Sequence, residues 1–278
     1  MAITNFIPTV WSETLTKELD RQYVGVSNCS RDFEGEIRGK GSSVKICSVG
    51  PITVFDYNKD TDMGSTYPQA LSDRAVTLTI SQSKAFNFQI DDVDKVQSKP
   101  ALLQAAMNKA ANALSNVADR YVYSLYEGVA EENCIYWDSI DEENIISVIV
   151  SLREKFYENN IGDNVETVLE VSPYVAGIIL KAKITTMTDN SEAVANGYLG
   201  KIAGFKIYVS NNIHTSETRH MCFARTTRAI AFAEQLNEVE AYRPEKRFAD
   251  AVKGLHLYGA KVVFPDELFV IKVYDPAI

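Results

Sequence analysis

The chain has 278 residues, 46% of them hydrophobic, which is enough to bury a sizeable core and excludes disorder along its whole length. Its formal net charge of -9, from 37 acidic against 28 basic residues, excludes a surface that holds DNA or RNA by counterion release, since that needs a concentrated basic stripe. Four scattered cysteines, Cys29, Cys47, Cys134 and Cys222, form no C-x-x-C pair and read as free thiols of a reducing compartment rather than a disulfide framework.

In chain order, residues 1–10 lack the basic flank and apolar stretch of a secretory signal. Residues 1–30 read as an arm, with a short helix started by Ser12 and too few regularly spaced apolar residues for a core of its own; such a segment lies against something larger or frays. From Val44 to Ile90 the apolar residues fall on even positions: Val44, Ile46, Ile52 and Val54, then Val76, Leu78, Ile80, Phe86, Phe88 and Ile90. Strict period two predicts strands with one buried face, and the polar, turn-rich stretch 56–72 makes them the two arms of a long hairpin. An isolated hairpin is marginal in water, so its apolar face needs cover from the chain's own core or from another copy.

Helical periodicity follows over 101–127, where Leu103, Met107, Ala110, Leu114, Val117, Tyr121 and Leu125 recur at steps of three or four. Ser98 suits the N-cap, Pro100 the first turn and Gly128 the C-terminal cap. The result is a strut of roughly 27 residues, about 40 Å long. Ser139 with Glu142 forms a capping-box pattern before a helix to about residue 159. A buried strand is predicted over 165–171, a helix from Ser172-Pro173 to about 183, a polar loop over 185–196 and a strand over 204–210, an α/β order. Short strands at 222–223 and 229–233 precede a segment at 239–243, and runs at 255–264 and 268–274 around Pro265 predict a terminal hairpin. The most apolar stretches are far shorter than the roughly 20 residues of a membrane-spanning helix, so a soluble protein is expected.

Catalytic signatures are missing. Of the three histidines, His214, His220 and His256, none lies in H-E-x-x-H, and His214 and His220, six positions apart in a polar loop, read as surface residues. No G-x-S-x-G elbow is present, and no cysteine has a basic neighbour to activate it. Gly197, Gly200 and Gly204 fit neither phosphate-binding spacing and read as turn glycines. Asp91, Asp92 and Asp94 lack the ligand spacing of a calcium loop; ahead of a helix they favour its dipole, and an ion pair to another subunit is open to them. Lys40, Lys45, Lys59 and Lys84 keep a ribbon soluble and deter wrong edge pairing, and Lys59 at the tip is also placed to reach a neighbouring copy.

The order of parts, and several local motifs, resemble the major capsid protein of tailed bacteriophages, an α+β fold known as the Johnson or Hong Kong phage-type capsid fold. Thr4-Asn5-Phe6-Ile7-Pro8 with Trp11-Ser12 resembles the arm opening of one branch of that family, and Gly35-Glu36-Ile37 with residues 41–46 the start of its extended loop. Phe86-Asn87-Phe88-Gln89-Ile90-Asp91-Asp92-Val93-Asp94 is similar to the exit into its long spine helix. Residues 168–173 and 200–211 resemble the axial domain, and Glu240-Ala241-Tyr242-Arg243 with residues 257–262 the return into the peripheral domain.

The resemblance implies an N-terminal arm over 1–34, an extended loop over 35–94, a peripheral domain over 95–130 and 239–278 with spine helix and closing hairpin, and an axial domain over 131–238. It implies a non-enzymatic shell subunit without cofactors, forming hexamers and pentamers of itself in an icosahedral head around double-stranded DNA that it does not read. Implied partners are a separate scaffolding protein, a portal protein and decoration proteins, with no membrane, assembly in the bacterial cytoplasm and residence in the virion. The candidate inter-subunit residues are Phe6, Trp11, Tyr57, Lys59, Tyr67, Asp91, Asp92 and Asp94. Two other readings compete: an encapsulin-type shell around an enzyme cargo, and a soluble α/β enzyme with a β-ribbon dimerisation arm.

Overall fold

A computed structural model of the chain describes residues 15, 18, 19, 23–33, 41–49, 52, 54, 59, 73–91, 101–182, 198–216, 218–246 and 248–276. In chain order its elements are β1 (Ser43–Val49), β2 (Asp73–Thr79), β3 (Gln82–Asp91), α1 (Ala101–Tyr123), β4 (Cys134–Trp137), α2 (Ile145–Glu158), β5 (Thr167–Val171), α3 (Pro173–Lys181), β6 (Tyr198–Ile202), β7 (Phe205–Val209), β8 (Thr215–Ser216), β9 (Arg219–Thr226), β10 (Ile230–Tyr242), β11 (Ala249–Val262) and β12 (Leu268–Tyr274). They make a two-stranded ribbon β1-β2, a three-stranded sheet β10-β11-β3, and a larger mixed sheet in the order β4-β12-β9-β5-β7-β6 with β8 beside β9. The fold is mixed α+β.

The long period-two run divides between two sheets. β1 and β2 pair antiparallel, Val44 opposite Leu78 and Ile46 opposite Val76. After Ile80 the chain leaves the ribbon, and β3 pairs instead with β11, Phe88 opposite Val252. The even residues therefore serve two cores. Ile46, Leu78 and Ile80 pack with Ala231, Ala233, Leu257 and Val263 on one face of the three-stranded sheet, whereas Phe86 and Phe88 join the cluster on its other face, beneath α1. Alternation fixes which side of a strand is apolar but not what it packs against.

The ribbon is seated by close backbone contact. Gly41, at φ 85°, begins the turn into β1, and its N–H donates to the Ile80 carbonyl (3.1 Å). Gly259 lies under the same end: a Cβ there would stand 2.3 Å from the Thr79 carbonyl oxygen. Gly254 likewise leaves room for the ring of Phe86.

α1 runs for 23 residues, about 35 Å. The helical pattern expected to 127 tightens at Ser124 into a 3-10 turn that ends at Gly128. The buried stripe of α1, Met107, Ala111, Leu114, Ala118 and Val122, packs on Phe232, Val252, Tyr258 and Ala260 of one sheet and reaches Phe223 and Val270 of the other. The opposite face of the larger sheet, with Leu169, Ile207, Ala224 and Ile271, is covered by α2 and α3. β5 is buried along its whole length, as a central strand with both faces covered must be.

Three local expectations are corrected. Leu255 and its neighbours do not form a terminal hairpin with 268–274: β11 pairs with β10 and β3, while β12 crosses to the larger sheet and lies between β4 and β9. The segments at 229–233 and 239–243 belong to one strand, β10, interrupted by a bulge between Asn237 and Glu240. The Ser139–Glu142 capping box does not form; Asp141 Oδ1 takes the N–H groups of Glu143 and Asn144, and α2 starts only at Ile145. At α3 the expected cap is present, with Val175 N–H donating to Ser172 Oγ (3.5 Å) and Pro173 in the first turn.

Replacing Gly259 by Ala should push the ribbon off its seat and cost about 1–3 kcal/mol in denaturant unfolding. Gly128→Ala, whose Cβ meets nothing within 4 Å, should be neutral or slightly stabilising. Equal effects of the two would contradict the close approach at Thr79.

Candidate functional site

Residues 23–33, which link the arm to the ribbon, are held between both sheets by two polar centres. At the inner one, Arg225 of β9 and Glu170 of β5 are fully buried and pair in a two-pronged contact, Nε to Oε2 and an Nη to Oε1, each 3.0 Å. The remaining guanidinium donors go to backbone carbonyls of the linking segment, Asn28 (2.7 Å) and Gly25 (2.8 Å). Asn28 donates its amide to Glu170 Oε1 (3.0 Å) as well as to the Val24 carbonyl (3.0 Å). From α1, Asp119 accepts the N–H groups of Val24 (3.1 Å) and Val26 (2.9 Å). Burial pushes the Asp119 carboxyl up to about 6, against the lowering effect of those two donors.

The outer centre is Glu234 of β10. It accepts from Tyr23 Oη (2.6 Å), from Arg31 and, at 2.7 Å, pairs with His256 Nε2 of β11. Burial alone would raise the Glu234 carboxyl, but His256, Arg31 and Tyr23 together hold it below its ordinary range. Between the two centres Ser30 bridges to Ala231 as a short parallel addition to β10, and Val26, Cys29 and Tyr23 join the core with Leu15 and Leu19 of the arm.

The outward-facing features differ in character. Of the ribbon's apolar residues beyond its seat, Ile52 is 67% exposed and Val54 90%. At the far end of the β10-β11 pair, Phe248 is 83% exposed. An open groove of about 610 Å³ lies on the ribbon-side face of the three-stranded sheet, lined by Ala85, Phe86, Gly254, Leu255 and the Glu240–Lys253 ion pair (2.8 Å).

Of the candidate inter-subunit residues, Lys59 is exposed in a turn and Asp91 closes β3 opposite Ala249; the two are not brought together in any contact described. Phe6, Trp11, Tyr57, Tyr67, Asp92 and Asp94 lie outside the described residues. Sequence reasoning missed Glu170, Arg225 and Glu234, because a charged residue inside a strand carries no sign of whether it faces solvent or a partner.

His220 is a correction: it is buried on β9, its Nδ1 3.1 Å from Thr215 Oγ1 and its Nε2 3.1 Å from Asp275, whereas His214 is exposed and stacks on Tyr126. Cys29 and Cys222 are buried thiols, pushed up by that burial to about 11 and about 12, while Cys47 is exposed on the ribbon. Among the described residues no group of three His, Cys, Asp or Glu is placed to hold a metal, and no helix is long and apolar enough to cross a membrane.

A sequence profile of the family described as phage capsid protein matches residues 75–273. The chain belongs to that family. Its structure is similar to one from Mycobacterium phage Che8, with 27% identity and a TM-score of 0.67 over 90% of this chain and 91% of that one. It is similar also to the capsid of Ralstonia phage GP4, with 12% identity and a TM-score of 0.69 over 93% and 91%. The virus-like particle of Pyrococcus furiosus, at 10% identity, shares the fold with a TM-score of 0.57 over 95% and 98%. No curated protein matches the sequence. The capsid protein is thus a structural component of a tailed-phage virion, a major capsid protein.

Arg225→Met leaves Glu170 buried without its counter-charge, and the expected loss is about 3–5 kcal/mol. Lys206→Met, which breaks an exposed pair with Glu166 (2.6 Å), should cost only about 0–1 kcal/mol. Chemical denaturation of the two variants checks this, and similar losses would refute a special role for the inner centre. Asp119 titrates above its ordinary 3.8 in the fold, so its contribution to stability is full below that value and lost as pH rises through about 6. Carboxyl NMR should place its midpoint near 6; a midpoint at the ordinary aspartate value would contradict its burial.

Proposed function

We propose that this capsid protein is the repeating subunit of an icosahedral head, assembled through hexamers and pentamers of itself around double-stranded DNA in the bacterial cytoplasm. The observation that carries this reading is the ribbon. Its seat buries Val44, Ile46, Leu78 and Ile80, each contributing about 1.5–3 kcal/mol, yet the same alternation continues to Ile52 and Val54, which remain in solvent. Apolar residues left uncovered in sequence with a packed face mark a surface that another molecule covers. In a shell that molecule is a second copy, and heterologous contacts that close into rings turn such pairing into capsomers.

The excess of acidic residues agrees with DNA held by confinement, without base readout. In this reading residues 95–130 and 239–278, with α1 and β11, form the peripheral domain and residues 131–238 the axial one, and β12 reaches from the first into the sheet of the second. A scaffolding protein, a portal protein and decoration proteins complete the proposed set of partners.

Ile52→Lys combined with Val54→Lys should leave the unfolding midpoint of the subunit within experimental error, because neither side chain is covered within it. It should abolish shells in sedimentation and negative-stain microscopy. Shells of normal size from the double variant would sink the proposed role of the ribbon, and an enclosed enzyme in place of DNA in particles from infected cells would favour a cargo compartment.

A further inference from the structure

Glu234 occupies a position that the shell reading leaves unused. Its one carboxylate gathers both ends of the linking segment, Tyr23 at the start and Arg31 at the finish. Beyond Tyr23 lie Leu15 and Leu19 of the arm; two residues beyond Arg31, Phe33 packs against the cluster that seats the ribbon. The inner centre at Arg225 is closed to water, whereas here the Arg31 side chain is 31% exposed and that of Glu234 12%, so solvent and protons reach the contact.

We infer that Glu234 is a latch that couples docking of the arm to seating of the ribbon: while its carboxylate is charged both are held, and when the charge is removed both loosen together while the two sheets stay joined. The coupling follows from placement. Loss of the charge takes the ion pair from Arg31 and weakens the acceptor for Tyr23, so each flank of the segment loses a side-chain tie in the same event, whereas Arg225, Glu170 and Asp119 still grip its middle, residues 24–28, and Ser30 keeps its backbone bonds to Ile230 and Phe232. The groups facing the carboxylate are Tyr23 and Arg31 from the linking segment and His256 from β11; Asp119 of α1 stands behind Tyr23 and Tyr258 packs on the His256 ring at 4.9 Å. His256 Nδ1 is buried without a partner, so the Nε2 side of the ring alone engages the latch. Because the folded carboxyl lies below its ordinary 4.5, its contribution is present above that value and is lost as pH falls through the lowered one. The inference deepens the shell reading, since arm and ribbon are the parts that reading gives to neighbours, but it concerns the subunit itself.

Hydrogen exchange of the full chain tests it, with rates corrected for their intrinsic pH dependence. In Glu234→Gln at neutral pH, amides of residues 29–33 and of β1 and β2 should exchange at least about tenfold faster, as expected for loss of charge-assisted hydrogen bonds. Those of β5, β9 and β12 should be unchanged. The wild type should develop the same pattern on acidification below pH 4.5, and Glu234→Gln should not change further there. Should Glu234→Gln fail to fold, Arg31→Gln, which removes the partly exposed partner, carries the same expectation. Unchanged exchange at 29–33, or acceleration of 29–33 without the ribbon, overturns the latch; so does acceleration spread evenly over the chain. Particle formation, followed separately by sedimentation, reports on the shell reading, so a failure there leaves the exchange result standing.

Discussion

A guanidinium taken wholly out of water must find a partner for nearly every donor, and Arg225 finds them in two places that the chain would otherwise leave separate. Its carboxylate partner comes from the neighbouring strand of the same sheet, and the remaining donors go to carbonyls of a segment some two hundred positions earlier. An ion pair of this kind is weak as a source of net stability, because desolvation offsets most of the attraction. It is strong as a constraint: the buried guanidinium is satisfied beside Glu170 only where residues 25–28 present their carbonyls to it. Asp119 applies the same demand from α1, so three elements distant in sequence meet at one point.

That constraint divides the molecule into what is finished and what is not. The two sheets, the long helix and the linking segment satisfy one another. Among the described residues the ribbon is satisfied at its base, where Gly41 and Gly259 allow the backbone to lie close, while Ile52 and Val54 stand in solvent. A protein that functioned alone would have little reason to retain such a face, whereas a family of shell proteins has an evident one.

Much of this was legible in the sequence where periodicity was long and unbroken. The stripe through Met107 and Leu114 announced α1, and the even-numbered run from Val44 announced strands with one apolar face. Pairing was not legible. Residues 255–264 and 268–274, separated by a short proline turn, look like a hairpin because nothing local records that one joins the three-stranded sheet and the other a central position in the larger one. For the same reason parity alone gives Phe86 and Leu78 one core, where pairing sends them to two. The exposed end of the ribbon could be anticipated from Ile52 and Val54. The buried polar centres could not, since Glu170 and Arg225 are isolated charges within β-branched and aromatic surroundings, and their proximity arises only once β5 and β9 are adjacent.

The location of β12 has a bearing on biosynthesis. It lies between β4 and β9, yet follows every other strand of that sheet along the chain. A polypeptide leaving the ribosome from its amino end therefore carries β4 without a neighbour until residues 268–274 emerge, and sheets assembled from such distant segments form slowly. The larger sheet is therefore complete only once the carboxyl-terminal segment has been made.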